Sequence, residues 1–183
     1  RLESGVAKPG QIAVGPRTAE IIGTEDLRAL DAAPRPDEQG IAETLGLLRR
    51  FMGIPYSWGG RTPYGFDCSG LAGTFYDCLG IDIPRDADQQ FAKGEIVEGT
   101  PRPGDLLFFG EVPDCSLPGP DLSGFVPEPA ITHVGISLGG LDFLHANGSN
   151  WGIGCNSLDP ASPVQDAWHR DNYRGARRFR KRA

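Results

Sequence analysis

The tetrapeptide Asp67-Cys68-Ser69-Gly70 opens the stretch that most constrains what this chain can fold into. Apolar residues follow at spacings of three and four, which is the pattern of one buried face of an α-helix. They are Cys68, Leu71, Ala72, Phe75, Tyr76 and Leu79. Gly65 predicts a turn just before this helix, and Gly80 predicts its end. We therefore expect a buried helix that carries a cysteine in its first turn.

The thiol of Cys68 has two interpretations at this position. Unpaired N–H groups and the positive end of the helix dipole favour an anion, which would draw the pKa of the thiol below its free value of about 8.5 and make it a nucleophile. Free cysteines are also among the most buried residues, and most of them are inert members of a core. Position alone leaves both interpretations open.

Length and charge exclude several classes of protein. The 183 residues suffice for one well-buried domain, and the net charge of −6 argues against a nucleic-acid partner. The basic run from Arg174 to Arg182 is interpreted as a solvated tail. No stretch approaches the roughly 18 apolar residues that a membrane span needs, so we expect none. The oligomeric state cannot be predicted from these features.

The cysteines and the methionine bear on oxidation and processing. Cys68 and Cys78 lie about 15 Å apart along one predicted helix, too far for a disulfide. Cys115 and Cys155 lie in turn-rich segments, and the sequence leaves open whether they pair. Because the only methionine is the internal Met52, we expect a processed or trimmed product. The compartment therefore stays open between the cell envelope or exterior and a cytoplasmic recycling role.

The first 36 residues contain two short apolar runs and a proline-containing linker, which is too little to fold alone. We expect an N-terminal segment over residues 1–36 and one domain over residues 37–183. The domain should open with a helix through Ile41 and Met52, for which Asp37 is a plausible cap. The segment Pro55-Tyr56-Ser57-Trp58-Gly59-Gly60 then lies close enough to Cys68 to line its cleft.

The second half of the domain is predicted to be a sheet. Leu106-Leu107-Phe108-Phe109 is short and apolar enough for a central strand. Residues 110–130 hold five prolines and no basic residue, and a loop this long is either functional or disordered. Residues 132–138 alternate in polarity, and residues 142–146 return as a second strand. An odd-numbered loop would place His133 and His145 opposite each other on one face, which is our expectation.

Cysteine and histidine together suggest nucleophilic catalysis. A thiolate needs a base within hydrogen-bond reach, and the base needs a group that fixes its ring. The third histidine, His169, has no such place in the pattern. Cys68 as nucleophile, His133 as base and His145 as orienting residue fit this requirement, although His133 alone could be an ordinary half-buried histidine. No zinc-type spacing of Cys or His is present, so we expect neither a metal nor a cofactor.

Six motifs in this order resemble the NlpC family of bacterial cysteine peptidases, which cut cell-wall peptides. They are Pro55-Tyr56-Ser57-Trp58-Gly59-Gly60, Phe66-Asp67-Cys68-Ser69-Gly70, Pro84-Arg85, Pro103-Gly104-Asp105-Leu106, His133-Val134-Gly135-Ile136 and Leu144-His145-Ala146. The resemblance covers residues from about 41 to 180. It implies an α+β fold of papain-like type, with an antiparallel sheet packed against the helix that carries the nucleophile.

The resemblance also assigns roles to side chains around the nucleophile. It implies that Tyr56 lends its hydroxyl to the oxyanion site and that Asp67 and Ser69 hold the free amine of the substrate. Trp58 and Arg85, in matching motifs, are expected to contact the substrate as well. For Asp67 the alternative is a helix cap worth about 1 kcal/mol. A carboxylate beside the reacting carbonyl needs a neighbouring cation, which a substrate ammonium would supply.

The function that the resemblance implies is hydrolysis of the bond between γ-D-glutamate and a diamino acid, diaminopimelate or lysine, in peptidoglycan stem peptides or muropeptides. We expect a free N-terminal L-alanine on the substrate. The alternatives are an acyltransferase on the same fold and a non-catalytic wall-binding module, against which the filled Cys68–His133–His145 positions count. Residues 1–36 resemble, more weakly, the end of a bacterial Src-homology-like barrel. The 110–130 loop is longer than the family's usual connection, which leaves the shape of the leaving-group side open.

Overall fold

The computed structural model describes residues 12–14, 20–22, 36–111, 130–149 and 151–181, and it divides the chain into units at residues 1–35 and 36–183. In the first unit, strands β1 (Ile12–Val14) and β2 (Glu20–Ile22) pair antiparallel. Whether this unit is the end of a barrel stays a prediction. Cys115 lies outside the described residues, and Cys68, Cys78 and Cys155 carry free thiols.

The second unit combines short helices with a larger sheet. Its helices are α1 (Glu38–Arg49), α2 (Cys68–Cys78), α3 (Ala87–Lys93) and α4 (Ala167–Asp171). Its strands are β3 (Arg61–Thr62), β4 (Gly65–Phe66), β5 (Glu95–Val97), β6 (Leu106–Glu111), β7 (Ala130–Gly139), β8 (Asp142–Asn147), β9 (Gly152–Ser157) and β10 (Tyr173–Arg178). None of the described helices is both long enough and apolar enough to cross a membrane.

Six of these strands form one antiparallel sheet in the order β5-β10-β6-β7-β8-β9, and β3 and β4 form a separate pair. The predicted strand at residues 106–109 lies inside this sheet, as β6. The sheet and the helix packed on it confirm the expected α+β architecture. Antiparallel strands joined by short turns let one face pack on a helix while the other face remains available for a different cluster.

Helix α2 packs on the sheet through the stripe that its sequence predicts. Leu71, Ala72 and Phe75 are fully buried. They join side chains from alternate positions of β7 and β8 in one hydrophobic core, such as Val134 and Leu144. Burial of each large apolar side chain contributes about 1.5–3 kcal/mol relative to leaving it in water. This packing fixes the start of α2, and therefore Cys68, against β7.

The opposite face of the sheet carries a second cluster. Leu107, Phe109 and Phe143 are fully buried there. Because side chains alternate along a strand, His133 and His145 lie on this face while their neighbours Val134 and Leu144 point towards α2. The ring centroid of Phe109 lies 5.8 Å from that of His133. The histidines are therefore packed among aromatic rings rather than exposed on the sheet.

The turn between β7 and β8 differs from the expected odd loop. Only Gly140 and Leu141 connect the strands, and the register shifts by one residue between Ser137 and Gly139. This bulge compensates for the two-residue turn and returns both histidines to one face. The shared face is confirmed, but the directly opposite placement is wrong. Ile136 pairs with Leu144, so His133 and His145 are diagonal neighbours, two residues out of register.

The basic C-terminal run is not the solvated tail that its charge predicts. Strand β10 lies between β5 and β6, inside the sheet. Arg178 makes two hydrogen bonds, of 2.6 and 2.7 Å, to the carboxylate of Asp105, which is 2% exposed. The guanidinium of Arg177 lies 3.7 Å from the centre of the Phe91 ring. The prediction from charge alone was wrong because Arg178 has a buried carboxylate as its partner and Arg177 lies against an aromatic ring.

Candidate active site

Cys68 is the first residue of α2, directly after its cap. It is 9% exposed, and the backbone N–H of Val134, the residue after His133, hydrogen-bonds to its sulfur. Burial raises the pKa of the Cys68 thiol above its usual value, and the nearby Asp67 carboxylate adds to this rise. The expectation of a lowered pKa is therefore wrong, because burial outweighs the backbone hydrogen bonds at the helix start. The thiol is protonated at neutral pH and needs a base.

Three side chains on β7, β8 and β9 form a hydrogen-bonded line that begins at His133, the residue before Val134. Nε2 of His133 lies 2.8 Å from Nδ1 of His145. Nε2 of His145 lies 2.8 Å from Oδ1 of Asn156, and Nδ2 of Asn156 donates to the carbonyl of Val164 at 3.1 Å. Gly135 leaves room for this line, since a Cβ there would lie 2.7 Å from the Phe143 ring and 3.5 Å from Cβ of His145.

The direction of these hydrogen bonds follows from the amide of Asn156. Its NH₂ group donates to a carbonyl, so its oxygen faces His145 and must accept from Nε2–H. Nδ1 of His145 is then an acceptor, and Nε2 of His133 is the donor. Nδ1 of His133 therefore carries a lone pair, and it makes no hydrogen bond within the described part of the chain. This is the tautomer that a general base needs.

Both histidines are held neutral. Burial, together with His145 and His169, lowers the pKa of His133 well below 6.5. Burial and His169 lower the pKa of His145 to about 4, against the opposing effect of its hydrogen bond to Asn156. A neutral imidazole can accept a proton, so a base of this kind would not require a standing ion pair with the thiol.

The third histidine, His169 on α4, joins this cluster. Its ring centroid lies 5.1 Å from that of His133 and 4.8 Å from that of His145. Its Nδ1 is 3.0 Å from Oδ1 of Asp166, although the ring N–H is not aligned with that oxygen. The sequence pattern gives His169 no role, because α4 is brought to the sheet by distant contacts.

The three histidines are also the described residues that could hold a metal ion. One nitrogen from each lies within 4.8 Å of the others. The bonded nitrogens of His133 and His145 are 2.8 Å apart, closer than the roughly 3.3 Å between two ligands on a tetrahedral zinc. The pair would have to open to bind an ion. The expectation that the protein uses no metal or cofactor stays a prediction.

Asp67, Ser69 and Arg85 form one network next to the nucleophile. Arg85 bonds to Asp67 through Nη2 at 2.6 Å and Nη1 at 3.2 Å, and to Ser69 Oγ at 2.8 Å. Asp67 also accepts from the N–H of Gly70 at 2.6 Å, which caps α2, and from the N–H of Gly59 at 2.9 Å. Both oxygens of Asp67 are thus engaged, and Arg85 supplies the neighbouring cation that was expected to come from a substrate ammonium. An amine-binding role for Asp67 and Ser69 stays a prediction.

Tyr56 and Trp58 differ in their placement. Burial raises the pKa of the Tyr56 phenol, and the charges of Cys68 and Asp67 raise it further. These interactions place its hydroxyl in the electrostatic field of the nucleophile, protonated and able to donate. Trp58 is 89% exposed. Its side chain is outside the Cys68–His133–His145 cluster, so a substrate contact through Trp58 stays a prediction.

A cavity of about 300 Å³ adjoins the base. Its lining residues come from the ends of β7 and β8 and from the start of α4; they are Thr132, His133, Asn147, Ser149, Asp166, Trp168 and His169. Cys68 is not among them. The cavity is therefore bounded by the candidate base and not by the candidate nucleophile.

The buried histidines predict a loss of stability in mild acid. The unfolded chain protonates His145 near pH 6.5, whereas the folded chain does so only near pH 4, so this contribution is complete above 6.5 and is lost as pH falls towards 4. Between pH 7.5 and 5.0 we expect His145 alone to reduce the free energy of unfolding by about 2 kcal/mol. Urea unfolding at both pH values, compared with His145→Asn, measures this. An identical pH dependence in the variant would contradict it.

The sequence pattern of the NlpC/P60 family matches residues 53–173, well over half of the chain and all of the candidate site. The chain belongs to the NlpC/P60 family. A γ-D-glutamyl-L-lysine dipeptidyl-peptidase of Bacillus subtilis (strain 168) is 34% identical over 135 residues, covering 71% of this chain. The match spans only 40% of that relative's own length.

Solved structures of NlpC/P60 proteins share the fold. The NlpC/P60 family protein from Bacillus cereus ATCC 10987 is 26% identical with a TM-score of 0.64, over 87% of this chain and 46% of that one. The NlpC/p60 domain of the peptidoglycan hydrolase SagA is 26% identical with a TM-score of 0.55, over 76% of this chain and 98% of that one.

The structure adds residues that the NlpC/P60 motifs do not contain. It brings His133 and His145 together as expected and adds Asn156, which sets their tautomers, and the Asp166–His169 pair. Asn156 lies on β9, where alternating glycines obscure a strand pattern. A polar residue directly following Cys155 carries no sequence signal of its own, so only the pairing of β8 with β9 could reveal it.

Proposed function

We propose that this NlpC/P60 chain is a cysteine peptidase that hydrolyses the bond between γ-D-glutamate and a diamino acid in peptidoglycan stem peptides. The observation that supports the proposal is the line from Asn156 through His145 to His133, which leaves Nδ1 of His133 without a hydrogen-bond partner among the described residues. Val134, the residue after His133, contacts the buried, protonated thiol of Cys68 through its backbone N–H. A merely structural histidine pair would not need an acceptor nitrogen that has no partner among the described residues.

The chemistry follows from this arrangement. Nδ1 of His133 takes the proton of the Cys68 thiol as sulfur attacks the γ-carbonyl carbon, and the carbonyl oxygen becomes an oxyanion. We assign to the Tyr56 hydroxyl the hydrogen bond to that oxygen. The oxyanion collapses, the C–N bond breaks, and His133 returns the proton to the departing amine. Water, deprotonated by His133, then cleaves the thioester and releases the γ-carboxylate and the free thiol.

The relatives support the choice of bond. The Bacillus subtilis relative is named for a γ-D-glutamyl-L-lysine bond and as a dipeptidyl-peptidase, which removes two residues from a chain end. We extend both properties to this chain as proposals, because the match leaves more than half of that protein uncovered. The substrate is then L-Ala-γ-D-Glu followed by a diamino acid, with a free N-terminal amine.

The test uses L-Ala-γ-D-Glu-L-Lys and its N-acetylated form, with products identified by mass spectrometry. We expect release of L-Ala-D-Glu by the parent and none by Cys68→Ala. N-acetylation should lower kcat/KM by about tenfold or more, since it removes a charge-assisted hydrogen bond. If Asp67 holds the amine, Asp67→Asn should reduce that penalty while keeping the cap of α2.

Other outcomes identify the alternatives. Equal cleavage of both peptides would mean an internal cutter in which Asp67 is only a cap. Products joined to an added amine, in place of water, would mean an acyltransferase. Peptide binding without any product would mean a wall-binding module and would overturn the proposal.

A further inference from the structure

The leaving group of the proposed reaction must lie on the His133 side of the nucleophile. His133 gives its proton to the departing nitrogen, and that nitrogen belongs to the diamino acid. The cavity of about 300 Å³ that His133 lines is therefore where the side chain of this residue would extend. Its wall is polar and neutral at Thr132, Asn147 and Ser149, and charged at Asp166.

Asp166 has one oxygen engaged and one available. Its Oδ1 accepts from the backbone N–H of His169 at 3.1 Å and lies 3.0 Å from Nδ1 of the same residue. Its Oδ2 has no partner within the described residues, and the side chain is 27% exposed. Burial raises the pKa of this carboxyl, but the backbone N–H and the nearby ring of His169 outweigh it and hold the pKa below its usual value. Asp166 is therefore a carboxylate at neutral pH.

No described cation lies in the wall of this cavity to balance Asp166. Trp168 donates through Nε1 to a second carboxylate, Glu111, at 2.9 Å. Arg170, on the same helix, bonds to Asp171 at 3.0 Å and is not a lining residue. The segment of residues 112–129 contains three acidic residues and no Lys, Arg or His, so its composition cannot supply a positive charge wherever it lies.

We propose that Asp166 binds the distal ammonium of the diamino acid and selects substrates whose third residue ends in a net positive charge. This inference rests on the proposed function. Lysine, ornithine and diaminopimelate with an amidated distal carboxyl share that chemistry. Diaminopimelate with a free distal carboxylate does not, because its carboxylate would face Asp166 without a cation to offset it.

The experiment compares kcat/KM for four tripeptides that share L-Ala-γ-D-Glu and end in L-lysine, norleucine, meso-diaminopimelate or its distal amide. Norleucine keeps the carbon chain of lysine and lacks the amine. We expect the parent to favour lysine over norleucine and over free diaminopimelate by about tenfold in kcat/KM. This is the lower end of the range for a hydrogen bond between charged groups, because Asp166 is partly exposed. The amidated diaminopimelate should behave like lysine.

The Asp166→Asn variant tests the residue itself. Asparagine still caps α4, so the helix start is retained while the charge is removed. The lysine-to-norleucine ratio should fall to near one in this variant, and this ratio within one enzyme is insensitive to a general loss of activity. Asp171→Asn, which removes a carboxylate from the same helix outside the cavity, should keep the parent ratio.

Each outcome is decisive. Cleavage of all four peptides at similar rates by the parent would overturn the inference and leave the proposed function standing. An unchanged lysine-to-norleucine ratio in Asp166→Asn would assign the preference to another group and overturn the role of Asp166. Failure to cleave any of the peptides would overturn the proposed function and this inference with it.

Discussion

Replacing His133 with alanine is expected to lower kcat/KM about 100- to 10,000-fold, the usual cost of losing a general base. The reason is the raised pKa of the Cys68 thiol, which leaves little thiolate at neutral pH without a base. The measurement is cleavage of L-Ala-γ-D-Glu-L-Lys at pH 7. Added imidazole should restore part of the lost rate in His133→Ala and none in Cys68→Ala, which separates base chemistry from a folding defect.

The other members of the line should matter less than His133, in their order along the hydrogen-bonded line. His145→Ala and Asn156→Ala leave the base in place and remove only the group that fixes its tautomer, so we expect smaller losses than for His133→Ala. The parent should stay active below pH 6.5, because burial lowers the pKa of His133 well below that value. Equal losses in His133→Ala and His145→Ala would instead mean that the two imidazoles share the proton transfer.

Local pattern was sufficient to predict the elements that carry the site. The apolar stripe after Cys68 predicted α2, and alternation predicted the faces of β7, because both depend on which side chains must be buried. Local pattern was not sufficient to predict the geometry of the turn between β7 and β8. A bulge between Ser137 and Gly139 decides how His133 meets His145, and it depends on Gly139, whose φ of 104° no periodicity encodes. The positions of Asn156 and of β10 likewise depend on pairing between strands, which local sequence patterns do not reveal.

The ion pair between Asp67 and Arg85 could likewise not be predicted from local sequence patterns. The sequence correctly indicates that a carboxylate next to Cys68 needs a cation. It does not indicate that Arg85, on the segment before α3, reaches back to supply one. That contact depends on how α3 packs, which only the folded structure defines. This cation is therefore present before any substrate binds, and its removal should destabilise the free enzyme.

Replacing Arg85 with methionine is expected to lower the free energy of unfolding by about 2–3 kcal/mol, because it leaves the carboxylate of Asp67, whose side chain is 9% exposed, without its cation. This expected loss is smaller than the full cost of breaking a buried ion pair, because the side chain of Arg85 is 31% exposed. Urea unfolding measures the change. Arg180→Met, which breaks an exposed pair with Glu95, should cost under about 1 kcal/mol.

The same change should also slow the reaction. A bare carboxylate on the residue next to the nucleophile opposes both the thiolate and the oxyanion, which at an effective dielectric constant near 20 costs on the order of 1–3 kcal/mol, or about 5- to 150-fold in kcat/KM. The double variant Arg85→Met with Asp67→Asn separates charge from shape, since asparagine still accepts the N–H of Gly70 but carries no charge. It should recover most of the stability and rate that Arg85→Met loses. A double variant no better than Arg85→Met would mean that Arg85 acts through its contact with Ser69 and not by neutralising Asp67.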